Sequence, residues 1–210
     1  LAASSPCSTI IVAFAMFIVV DAANLVKAYL KRMAEGLPEA ERPRRCRRCP
    51  SPRRPHRHGQ FWRTVFTRQQ RWTIPVLRFR CPDCSQTMSL PPDFVEPHHQ
   101  TAVDVKEEVI RQSGEGRSLA EIASNPLSAT GGHYAEKTLW RWLRAWENRR
   151  ARQEARLWSL LLFRGLDEPL PRERNSGWAA LFAVWPQAAG GEPLLAALLR
   201  LDRSSTLTSI

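Results

Sequence analysis

The architecture turns on the stretch CRRCPSPRRPHRHGQFWRTVFTRQQRWTIPVLRFRCPDC, residues 46–84. It begins and ends on a CxxC pair, Cys46 with Cys49 and Cys81 with Cys84, and 31 residues lie between the pairs. A CxxC turn sets two thiolates on one side of a tight loop, and two such turns supply the four ligands of a tetrahedral Zn2+. Between them, Phe61–Phe66 and Trp72–Arg80 are rich in aromatic and β-branched residues and are separated by the polar TRQQR, which predicts an antiparallel hairpin. A third short strand is expected over Gln86–Leu90, where Pro91-Pro92 ends it. The hairpin would carry the second turn back to the first. With all four ligands from the protein, the shell is closed and the zinc is structural rather than catalytic. His56 and His58 offer a rival ligand set with Cys46 and Cys49, but that set leaves the second CxxC unexplained. A ribbon this small has little core, so metal binding is expected to supply most of its stability.

Charge is concentrated on the same stretch. The chain has a formal net charge of +11, and the span Arg42–Arg80 holds thirteen arginines with no aspartate or glutamate. The rest of the chain is nearly neutral, with 18 basic and 20 acidic residues. A field gathered in this way attracts polyanions, nucleic acid first among them. Arg44, Arg45, Arg47, Arg48, Arg53 and Arg54 flank the first CxxC turn and form the expected row of phosphate contacts, with Arg57 beyond. Arginine outnumbers lysine 27 to 4, which suits phosphate and guanine recognition, although a GC-rich genome gives the same bias. Pro43, Pro50, Pro52 and Pro55 exclude helix here and separate the ribbon from what precedes it.

From His98 onward the periodicity becomes helical. Ala102, Val105, Val109 and Ile110 share one face of a helix that should end near Ser113-Gly114. Ser118 with Glu121 spells a capping box for a short second helix, which Asn125-Pro126 stops. A third helix begins near Tyr134, and its stripe of Leu139, Trp142, Leu143 and Trp146 has core-facing spacing. It continues toward Phe163. Lys137, Thr138, Trp140, Arg141 and Arg144 then lie opposite the stripe, with the donors needed to reach phosphates and base edges in a major groove. The alternative is an ordinary three-helix bundle with a charged exterior.

The expected class is α+β: a three-stranded antiparallel zinc ribbon, a three-helix helix-turn-helix bundle and a C-terminal helical hairpin. The segments are 1–41 (strand and helix), 42–96 (ribbon), 97–165 (helix-turn-helix with an extended third helix) and 166–210 (linker and C-terminal helices). Ile10–Val20 is apolar for eleven residues, too short to span a bilayer, and reads as a buried strand before a helix over about Ala22–Ala34. No membrane partner is expected. The apolar runs GWAALFAVW and PLLAALLRL, split by Gly190-Gly191, form a hairpin that packs on the body or makes a homodimer; both remain open. Beyond Trp146 the carboxylates are Glu147, Glu154, Asp167, Glu168, Glu173, Glu192 and Asp202, none in a strand context, so a two-metal catalytic site is not expected and the chain reads as a non-enzyme.

The order CxxC, HGQFWR, RFRCPDC, TMSLPPDFVEP, SLAEIA and EKTLWRWLRAW resembles bacterial zinc-ribbon plus helix-turn-helix proteins related to the N-terminal DNA-binding region of insertion-sequence transposases. The resemblance spans roughly Ile18–Trp146. It implies a cytoplasmic, nucleoid-associated DNA-binding protein of a mobile element, with Cys46, Cys49, Cys81 and Cys84 on the metal and Lys137–Arg144 as the reader. The alternative is a zinc-ribbon protein-interaction or RNA-binding module without sequence-specific DNA recognition. One departure stands out: about ten residues, Asn125–Tyr134, separate the second and third helices where a tight turn is expected.

Overall fold

Four consecutive residues of the second strand, Ile74, Pro75, Val76 and Leu77, are buried, so both faces of that strand are covered. In the computed structural model, which describes residues 22–36, 41–128, 132–166 and 177–208, this strand is the middle of a three-stranded antiparallel sheet. The elements in chain order are α1 (Ala22–Glu35), β1 (His56–Phe66), β2 (Arg71–Arg80), β3 (Thr87–Leu90), α2 (Val103–Gly114), α3 (Leu119–Ser124), α4 (Glu136–Phe163), α5 (Gly177–Ala189) and α6 (Leu194–Thr208). The expected strand over Ile10–Val20 and the linker over Asp167–Ser176 lie outside the described residues.

β1 and β2 pair from His56 opposite Arg80 to Phe66 opposite Arg71, with one irregularity between Arg57 and Gly59. Gly59 has φ +144°, a backbone that L side chains rarely adopt, which is why the strand can run five residues further toward the first CxxC turn than the aromatic pattern alone indicates. The turn at 67–70 closes on itself, since both the amide and the hydroxyl of Thr67 donate to the Gln70 carbonyl at 3.0 and 2.9 Å. Asp104 ties that turn to the helices, accepting the Arg68 amide at 3.1 Å and the Ala22 amide at 3.4 Å. α1 lays Ala22, Ala23, Val26 and Tyr29 inward; the Tyr29 hydroxyl donates to the Pro75 carbonyl and its ring meets Phe94 edge-on at 5.6 Å.

The helices follow their sequence signals closely. Ser118 caps α3 by accepting the Glu121 amide at 3.3 Å, while the Glu121 carboxylate accepts the Ser118 amide at 2.8 Å. α4 runs for 28 residues and buries Leu139, Trp142 and Trp146, with Leu157 and Leu161 further along the same helix. The C-terminal helices pack on the body: every residue from Leu194 to Leu199 is buried, and α6 lies against α4 and α2. One hydrophobic cluster joins α1, the sheet and all the larger helices, from Ala22 through Val65, Ile74, Val103 and Trp146 to Leu199.

Candidate metal centre and basic surface

The two CxxC turns meet at one end of the sheet. Pairing of His56 with Arg80 brings the chain just after the first turn beside the chain just before the second. The ligand atoms of Cys46, Cys49, Cys81 and Cys84 all lie within 4.8 Å of one another. Cys46 Sγ is 3.6 Å from Cys84 Sγ, and Cys49 Sγ is 3.6 Å from Cys81 Sγ. These separations are far beyond the ~2.05 Å of a disulfide, so the pairs alternate around a centre instead of bonding to each other. Four sulfurs so placed can hold a metal ion. The rival histidines, His56 and His58, sit exposed in β1 and are not part of this cluster.

Backbone amides point at the sulfurs. The Arg48 amide donates to Cys46 Sγ at 3.3 Å and is the main reason that thiol is held below its ordinary pKa. The Cys84 amide does the same for Cys81, which is pushed down to about 7. Cys49 moves the other way, up to about 12: the Ser51 amide favours its thiolate, but the neighbouring sulfurs and burial outweigh it. Four crowded sulfurs cannot all carry charge without a cation among them, so loading a metal must expel protons. The second turn closes through the Ser85 amide on the Cys81 carbonyl at 3.1 Å, and Ser85 takes a left-handed backbone with φ 58°. Asp83 locks the turns together, accepting from the Ser51 hydroxyl and pairing with Arg53.

The arginines around the first turn divide into two groups. Arg53 and Arg54 serve the loop itself: Arg53 is paired with Asp83, and Arg54 donates to the Arg42 carbonyl at 3.0 Å while Arg42 donates to the Pro55 carbonyl at 2.7 Å. Arg44, Arg45, Arg47 and Arg48 are exposed. Among the described residues the guanidiniums of Arg44, Arg47 and Arg48 meet no carboxylate. On α4, Lys137, Trp140, Arg141 and Arg144 are exposed and Thr138 is half-buried, so this face points outward as its spacing predicts. Arg144 stacks 5.3 Å from the Trp140 ring, which is 48% exposed.

Behind this surface lies a charged network that periodicity did not reveal. Lys106 is completely buried, pairs with Glu96, sits 3.1 Å from His99 Nδ1 and lies over the Trp142 ring at 5.1 Å. Arg149 of α4 bridges Glu96 at 2.9 Å and Asp202 of α6. Burial alone would raise the Glu96 carboxyl, yet Lys106 and Arg149 hold it below the usual range. The other described carboxylates past Trp146 are likewise engaged: Glu147 and Glu154 clamp Arg150, and Glu192 meets Arg164 at 3.4 Å and also pairs with Arg200. The sequence signal for the network was the run Asp104, Lys106 and Glu107 at the start of an amphipathic helix, where every residue from Val103 to Glu107 proves buried. Comparison with protein-family models, with curated proteins and with solved structures finds no match to this chain.

Proposed function

We propose that this chain is a DNA-binding protein of a bacterial mobile element, an accessory or regulatory protein in which a structural zinc ribbon and a helix-turn-helix act together. The observation that carries the reading is the convergence of four sulfurs within 4.8 Å directly beside Arg44, Arg47 and Arg48, which are exposed and meet no carboxylate among the described residues. A zinc–sulfur bond of about 2.3 Å in a regular tetrahedron sets sulfurs about 3.8 Å apart, close to the 3.6 Å between Cys46 and Cys84 and between Cys49 and Cys81. The fit supports zinc held by Cys46, Cys49, Cys81 and Cys84. Such an ion would stiffen the loop bearing Arg44, Arg45, Arg47 and Arg48, which then meet phosphates with little ordering cost.

The second contact is assigned to α4. Lys137, Thr138, Trp140, Arg141 and Arg144 form one outward face, and α3 packs on the inner side of the same helix. The described residues on either side of 129–131 are held: Leu127 and Ser128 are buried, His133 Nδ1 lies 3.2 Å from the Ala123 carbonyl, and the Tyr134 hydroxyl lies 3.1 Å from that of Thr101. These contacts, with the packing of α3 on α4, keep the two helices in one relation, as groove reading requires.

A mobility-shift assay with random duplex, element-end duplex and RNA over a series of salt concentrations tests the reading. Affinity should fall linearly on a log–log plot of binding against salt, with duplex DNA preferred. Unchanged binding in both Cys81→Ser and Arg141→Ala would show that neither the metal centre nor α4 is the interface.

A further inference from the structure

A groove of about 830 Å³ lies between the first CxxC turn, the sheet, and helices α4 and α6. Its floor is one face of the sheet. Phe61 and Arg63 stand opposite Val76 and Ile74, and Arg78 stands opposite Ser89, so strand alternation puts Phe61, Arg63, Val76 and Ser89 on the same side. Arg47 and Arg48 line the groove from the turn, while Arg149 and Arg203 line it from the helices.

The charge of this groove is mostly uncompensated. Asp202 is the one carboxylate among its lining residues, against five arginines. Arg149 and Arg203 are already committed, to Glu96 and Asp202 and to Asp93. Arg47, Arg48 and Arg63 meet no carboxylate among the described residues; Arg63 donates to the His99 carbonyl. Phe61 is 38% exposed and lines the groove together with these cations. The strand β3, at the edge of the three-stranded sheet among the described residues, completes the floor.

We propose that this groove binds a single-stranded segment of nucleic acid, stacking a base on Phe61 and seating the flanking phosphates on Arg47, Arg48 and Arg63. The inference rests on the nucleic-acid reading above and adds a second ligand to it. An aromatic ring set among arginines is the arrangement that holds unpaired strands without regard to sequence. A lone inorganic anion would gain nothing from the ring. Arg47 and Arg48, assigned above to phosphates, then take those of the strand, while Arg44, Arg45 and the outer face of α4 take those of the duplex.

Fluorescence anisotropy with the full, metal-loaded chain tests this, using labelled oligothymidylate, oligouridylate and duplex DNA, each of about twelve nucleotides or pairs. Single strands should bind, and the DNA and RNA arms identify which sugar is accepted. Phe61→Ala should weaken strand binding about tenfold, Phe61→Tyr should restore it, and duplex binding should be unmoved by either. Arg47→Ala combined with Arg48→Ala should lower the salt slope for the strand by about 1.4, the value for two phosphates. The proposal fails if Phe61→Ala, with wild-type circular dichroism and metal content, binds the strand as tightly as wild type. It fails equally if duplex binds and single strands do not, or if polyglutamate displaces the strand at equal charge concentration, which would mark an acidic-peptide site. Absence of binding to duplex and strand alike would instead remove the nucleic-acid reading on which the proposal stands.

Discussion

Glu107 should make the protein less stable as the pH rises through neutrality, and Glu107→Gln should remove that dependence. The residue is only 2% exposed, on α2, and its carboxylate accepts the Leu195 amide at 3.1 Å in the first turn of α6. Burial pushes the carboxyl up from 4.5 to about 7, against the opposing pull of the Leu195 amide and Arg111. A folded-state value above the unfolded one means that the native protein keeps a proton the unfolded chain has released. The associated stability is full below the ordinary value and lost as the pH passes through about 7. At 1.36 kcal/mol per unit, the loss between about pH 5 and about pH 8 is about 2.5 kcal/mol. Glutamine keeps an oxygen for the Leu195 amide and cannot ionise. Urea denaturation of both metal-loaded proteins at the two pH values, followed by circular dichroism, should therefore find them nearly equal at the lower pH and the variant ahead by about 2 to 3 kcal/mol at the higher. All other titrating groups cancel in the comparison. A gap that stays within about 0.5 kcal/mol at both pH values, or a variant weaker at the higher one, refutes the assignment of a buried, protonated Glu107.

The remaining predictions concern the network, a cap and the outer face of α4. Lys106→Met leaves the Glu96 carboxylate with Arg149 as its remaining ion-pair partner, and should cost about 3 kcal/mol in the same urea assay. Because Glu96 is held low, its contribution is present above the ordinary carboxylate range and lost as pH falls through the depressed value; that acid sensitivity should shrink in the variant. Ser118→Ala opens the capping box of α3 and should lower stability by about 1 kcal/mol in a thermal melt. Lys137→Ala with Arg144→Ala should reduce the salt slope of duplex binding by about 1.8, the value for two phosphates, without changing the melting temperature.

The sheet was legible because its signals are local. Aromatic and β-branched runs ended by TRQQR and Pro91-Pro92 left one arrangement open, and the two cysteine pairs fixed which ends must meet. β1 nevertheless begins at His56, five residues before the aromatic run, because Gly59 absorbs the irregular backbone that polar HRHGQ needs to stay paired. The helices after His98 were equally open to reading, the capping box of Ser118 and Glu121 included. The division of labour among the arginines was hidden, since nothing in RRCRRCPSPRR distinguishes Arg54, which braces the loop, from Arg48, which is exposed. Hidden too was the Lys106–Glu96–Arg149–Asp202 network, whose members come from the loop at 96, α2, α4 and α6. Apolar periodicity locates a core face; it carries no information on which charges will be enclosed when four elements close on one another. The groove beside Phe61 is a tertiary feature of the same kind, invisible until α4 and α6 stand over the sheet.

Elemental analysis of the purified chain, read together with mass-spectrometric mapping of alkylated cysteines, tests the metal centre most directly. One zinc per chain is predicted, with Cys46, Cys49, Cys81 and Cys84 shielded from alkylation until a chelator removes the ion and frees the two CxxC turns. A chain that is folded, free of stoichiometric metal and alkylated at all four positions without chelator would contradict the account at its root.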